Sequence, residues 1–217
     1  MPRIALIHAL AASVAPINEA LARDWPQAVR MNVLDDSLSA DLAHTGRLDA
    51  TMTRRFEQLA DYAVAAGADA ILFTCSAFGA CIDAVKLRHA GFLVLKPNEA
   101  MVAEAAELSR RLPGPVGLVA SFAPTLTSMP HEFPADVAVR TALADEALSA
   151  LQCGDTAGHD AAAARAAAGL VEQHGCVVIA LAQFSLARAA PAVAAACGVP
   201  VLTTVDSAVR RLRWLLG

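Results

Sequence analysis

The chain has 217 residues, 56% of them hydrophobic, and a formal net charge of −4. That content supports a sizeable core in one large domain or two small lobes and excludes a disordered chain. No Lys/Arg cluster is interleaved with aromatics and no run of about 18 apolar residues lacks charge, so neither nucleic acid nor a membrane is an expected partner.

Arg3–His8 reads as a strand, 15–24 as a helix ended by Pro26, and Val29–Leu34 as a second strand. A helix over 51–66 stops at Gly67, which suits a C-cap. A strand over 71–74 follows, then a helix over 77–89 closed by Gly91 and a strand over 92–95. The series then restarts. Strands are expected over 115–120 and 136–141, and an Ala-rich helix over 159–173 before Gly175. Then come a strand over 176–181, a helix over 186–197 interrupted at Pro191, a strand over 199–202 and a closing helix over 206–216. Arg210, Arg211 and Arg213 read as the solvated face of that last helix.

The two series superpose. Ile4–His8 lies over 116–120, 67–75 over 175–183, and 91–95 over 198–202, at offsets of 112, 108 and 107 residues. Near-constant offsets mark an internal duplication, and alternating strands and helices imply parallel sheets. The expected fold is α/β, with two pseudo-twofold-related lobes. One comprises residues 1–96 with 205–217 and the other residues 97–204; the active site would lie in the interlobe cleft, at strand C-terminal ends.

The duplication sets a thiol against an amide, because Cys75 falls on Gln183. Cys75 ends a buried strand beside a helix start, where backbone N–H groups are expected to lower a thiol pKa. Cys81, Cys153, Cys176 and Cys197 read as structural. Five cysteines, an odd number at irregular spacing, with no C-x-x-C, fit free thiols in a reducing cytoplasm and no zinc site. The first 15 residues look superficially like a secretory leader, but His8 interrupts the apolar run. Phosphate-loop and nucleophile-elbow motifs are absent, which speaks against a nucleotide-binding flavodoxin-like protein. Ser76, Ser121, Thr125 and Ser185 follow strands, as helix caps or as donors for a carboxylate. His8 ends the first strand, as a core residue or a site residue. Asn98 and Glu99 follow Pro97, to line the cleft or to cap. Asp160 is expected to serve a helix N-terminus.

These residues carry a resemblance. The duplicated halves, with Leu72-Phe73-Thr74-Cys75-Ser76-Ala77-Phe78-Gly79, Leu95-Lys96-Pro97-Asn98-Glu99-Ala100 and Leu181-Ala182-Gln183-Phe184-Ser185, resemble the aspartate/glutamate racemase superfamily. That superfamily includes hydantoin racemases, maleate isomerase and arylmalonate decarboxylase, and the likeness spans essentially the whole chain. It implies a cofactor-independent enzyme, without metal, acting beside the carboxylate of a small organic acid. Its racemases use two cysteines on opposite faces of the substrate. Cys75 matches the first; Gln183 replaces the second and cannot exchange protons at neutral pH. One-sided decarboxylation or cis–trans isomerisation stands beside racemisation. A non-catalytic carboxylate-binding protein that kept the fold is the second class of reading, and a homo-oligomer is left open.

Overall fold

The structure, a computed structural model, describes residues 1–217. Its residues divide into two compact units, Met1–Pro97 with Ala208–Gly217, and Asn98–Ser207.

The first unit contains β1 (Arg3–His8), α1 (Val14–Asp24), β2 (Val29–Leu34), α2 (Ser37–Thr45), α3 (Ala50–Ala65), β3 (Ala70–Phe73), α4 (Gly79–Arg88) and β4 (Leu93–Leu95). The second contains α5 (Glu99–Arg111), β5 (Val116–Ala120), α6 (Ala123–Ser128), β6 (Val139–Leu143), α7 (Asp145–Gln152), α8 (Thr156–His174), β7 (Val178–Leu181), α9 (Ala190–Cys197) and β8 (Val201–Thr203). The last helix, α10 (Thr204–Leu216), starts among residues of the second unit and ends among those of the first.

Each unit holds one four-stranded sheet, in the orders β2-β1-β3-β4 and β6-β5-β7-β8, and every pairing is parallel. The central strands β3 and β7 are buried at every residue, as a sheet covered by helices on both faces requires. The covering helices repeat one pattern. In α3 the buried stripe is Met52, Phe56, Ala60 and Ala63, and in α8 it includes His159, Ala163, Ala167 and Leu170 at the same spacing. An aspartate caps each helix: Asp49 accepts from the Thr51 and Met52 amides, Asp155 from that of Gly158. Gly67 and Gly175, at φ 78° and 62°, turn the chain out of them in a left-handed conformation that costs a glycine little.

Several expectations need correction. Four helices, α2, α5, α6 and α7, were not expected. The strand expected over 136–141 is Val139–Leu143, because a Val137 N–H···O=C Pro134 turn still holds the chain. The helices expected to open at 77 and 186 begin as 3₁₀ segments, one turn over Ser76–Phe78 and two over Phe184–Ala189. Pro191 does not interrupt a helix. It occupies the first turn of α9, where its missing N–H is not needed. No helix is long and apolar enough to cross a membrane.

Candidate active site

The register of the sheets brings residues just past β1 and β3 side by side. Ile7 pairs with Phe73, and the Thr74 amide donates to the Ile7 carbonyl at 3.1 Å, which carries the ladder one residue beyond β3. Cys75 is next, still extended, and opens the 3₁₀ turn Ser76–Phe78. It is partly buried and borders a narrow crevice with Ile7, His8, Ala9, Leu38, Phe56 and Phe73. Phe56 builds the apolar wall by stacking on Phe73 and tilting against Phe78, at centroid distances of 5.3 and 4.8 Å.

This wall reverses the expectation for the thiol. Burial pushes the Cys75 pKa up, and the Ala77 backbone amide only partly opposes it. Amides at the turn do favour the thiolate, but desolvation outweighs them. Cys75 therefore rests as a thiol at neutral pH.

His8 is wholly buried and fully engaged. Its Nδ1 lies 3.1 Å from Ser13 Oγ and 3.0 Å from Thr74 Oγ1, and its Nε2 lies 3.0 Å from Asn32 Oδ1. Burial holds its pKa below the usual imidazole range, against the bond to Asn32. Both ring nitrogens of His8 are thus occupied inside the first unit, and the residue also borders the crevice at Cys75. Thr74, Ser13 and Asn32 were missed as site residues. A polar Asn within a strand was the available signal.

In the second unit the counterpart of Cys75 is held differently. Gln183 is also extended and opens the turn Phe184–Ala189. Its Oε1 accepts from the Ser121 amide at 2.7 Å and from Ser121 Oγ at 3.0 Å. The structure thus brings together two residues that the sequence singled out separately. With its carbonyl taken, Gln183 presents the amide NH₂ as a donor. Thr125 is buried in the short helix α6, while Ser76 and Ser185 are partly buried in the two turns.

Asn98 is 2% exposed, makes no side-chain cap on α5, and donates its amide to Glu132 Oε2 at 2.6 Å. Asp160 does not serve the backbone of α8. It accepts from Arg188 Nε at 3.0 Å and lies 2.8 Å from Nδ1 of the buried His159. All five cysteines are free, and no group of three or more His, Cys, Asp or Glu side chains is gathered to hold a metal ion.

The sequence profile described as Asp/Glu/Hydantoin racemase matches residues 10–212. A sequence search of curated proteins finds no match. Among solved structures, glutamate racemase isoform RacE1 from Bacillus anthracis superposes with a TM-score of 0.71 at 12% identity, covering 99% of this chain and 81% of that one. Allantoin racemase from Pseudomonas fluorescens gives 0.72 at 16%, covering 99% and 90%. Unliganded arylmalonate decarboxylase gives 0.62 at 16%, covering 100% and 94%. At such identities the likeness is one of fold.

Proposed function

Because the chain belongs to the Asp/Glu/hydantoin racemase family, we propose that it is a cofactor-independent enzyme acting at the carbon beside a carboxylate of a small organic acid, with Cys75 as its proton donor. The observation that carries this reading is the contrast between the two strand ends. Cys75 is a protonated thiol on an apolar wall, and Gln183 is a hydrogen-bonded amide with no proton to exchange at neutral pH.

Racemisation needs a titratable group on each face of the reacting carbon. Cys75 supplies one such group, and its counterpart in the duplication, Gln183, supplies none. In a decarboxylation, the C–C bond to one carboxylate breaks, carbon dioxide leaves, and the electron pair passes into an enediolate-like state. The Cys75 proton then goes to carbon, and the thiolate recovers a proton from water. Beside the thiol, the Ser76 hydroxyl and the backbone amides of the turn would hold the developing oxyanion. The crevice at Cys75 is lined by the apolar side chains of Ile7, Leu38, Phe56 and Phe73 and carries no Lys or Arg.

The test is made in D₂O. The unmodified protein should convert 2-methyl-2-phenylmalonate to one enantiomer of 2-phenylpropionate carrying one deuterium, and Cys75→Ala should lower turnover at least about a hundredfold. Racemisation of aspartate or glutamate with deuterium entering from both faces, or an unimpaired Cys75→Ala enzyme, would overturn the reading.

A further inference from the structure

We propose that the buried cluster of His8, Ser13, Thr74 and Asn32 is a positioning device for the thiol, in which His8 acts on Cys75 through the Thr74 side chain. This rests on the reading above that Cys75 is the reacting group.

The hydrogen bonds narrow the direction of each proton. Asn18 Nδ2 donates to Asn32 Oδ1 at 2.8 Å, so this oxygen, an acceptor, is the atom that faces the imidazole. His8 Nε2 must therefore carry the hydrogen of the 3.0 Å contact. In the neutral ring Nδ1 is then an acceptor. Ser13 Oγ donates to the Leu10 carbonyl at 2.7 Å, its shortest contact. That leaves the Thr74 hydroxyl, at 3.0 Å, as the donor within reach of Nδ1, with Ser13 Oγ at 2.9 Å and the Ile7 carbonyl at 3.3 Å competing for the same proton. The residue bonded covalently to Cys75 is thereby tied to the imidazole by its side chain and to β1 by its amide.

The duplication supplies an internal control. The Thr74 amide donates to the Ile7 carbonyl, and the Ala182 amide donates to the Val119 carbonyl. The Asp35 amide donates to the His8 carbonyl, and the Ala144 amide to that of Ala120. Ala120 and Ala182 therefore stand where His8 and Thr74 stand, and both are buried. The same strand ends close in the second unit on two methyl groups. The fold does not require a polar cluster there, and burying one is costly unless every group is bonded. It is built only under the strand end that bears the thiol.

The experiment reads Cys75 directly and needs no turnover, so it and the proposed reaction fail separately. Thr74→Val keeps the shape and removes the hydroxyl; Thr74→Ser keeps the hydroxyl. Iodoacetamide labelling is followed peptide by peptide, with the fully buried Cys81 reporting unfolding of the same unit. Thr74→Val should change the Cys75 rate about fivefold or more while the Cys81 rate stays fixed, and Thr74→Ser should restore it. A Cys75 rate within about twofold of the unmodified protein, or one that moves only in step with Cys81, overturns the proposal. A second measurement uses the unmodified chain. Alkylating Cys75 should move the ¹⁵N resonances of the His8 imidazole, and unmoved resonances would equally overturn it.

Discussion

Replacing Phe56 by alanine tests whether the wall beside Cys75 is packed as described. The side chain is 2% exposed and touches both Phe73 and Phe78. Its transfer from water contributes roughly 2–3 kcal/mol, and each lost aromatic pair adds about 0.5–1.5 kcal/mol. Phe56 also lines the narrow crevice at Cys75. The expected loss is about 4 kcal/mol, inside the usual span for a buried Phe→Ala change. Both tryptophans, Trp25 and Trp214, belong to the same unit as Phe56, so tryptophan fluorescence in urea reports its unfolding. With a slope near 2 kcal/mol/M the midpoint should fall by about 2 M. Alkylation of Cys75 should become faster as the wall opens. Tyr62→Ala, on the same helix but 60% exposed, should stay within about 0.5 kcal/mol. A Phe56→Ala loss below about 1.5 kcal/mol, or one no larger than that of Tyr62→Ala, would refute the packing argument.

Iodoacetamide should label Cys75 slowly at pH 7, with a rate that climbs only above the ordinary thiol pKa of about 8.5, because burial favours the protonated form; rapid labelling at neutral pH would contradict this. The unfolded thiol ionises first, so this group withdraws stability as pH rises through and above that value. His8 acts at the other end. Its folded pKa is depressed, so the unfolded chain takes up the proton first as pH drops below about 6.5, and urea midpoints measured across that range should decline on the acid side. Gly117→Ala should cost about 1–3 kcal/mol by overpacking, since a Cβ there meets Ile179 Cδ1 at 2.6 Å and Leu170 Cδ1 at 3.2 Å. Gly79→Ala meets nothing and should be neutral or stabilising in thermal melts.

The strands of both sheets were legible because their residues form short apolar runs closed by glycine or polar turns. The duplication was legible because glycines at matching places end α3 and α8. The helix α5 also carried a signal, with Glu99 in its first turn and Arg110 and Arg111 in its last. α2 buries only Leu38, and so few apolar positions leave no periodicity to read. At the site, Cys75, Gln183, Ser121 and His8 could be picked out one by one. Their partners could not. The bonds from Ser121 to Gln183 and from Thr74 to His8 depend on strand register across some 60 residues of chain. The thiol pKa was misjudged for a related reason: sequence shows the adjoining amides, whereas the desolvating ring of Phe56 arrives from another helix.

The division of the chain between the units has a consequence for its synthesis. Residues Asn98–Ser207 are contiguous, so the unit that carries Gln183 has all its parts as soon as that stretch leaves the ribosome. The unit that carries Cys75 is encoded in two pieces, and Ala208–Gly217 is its second. Ala208, Val209 and Leu212 from that piece are buried, and Arg213 donates to the Asp24 carbonyl at 2.9 Å. A nascent chain therefore holds an open thiol-bearing unit until residues 208–217 emerge, and deleting those residues would strike the unit that begins at Met1.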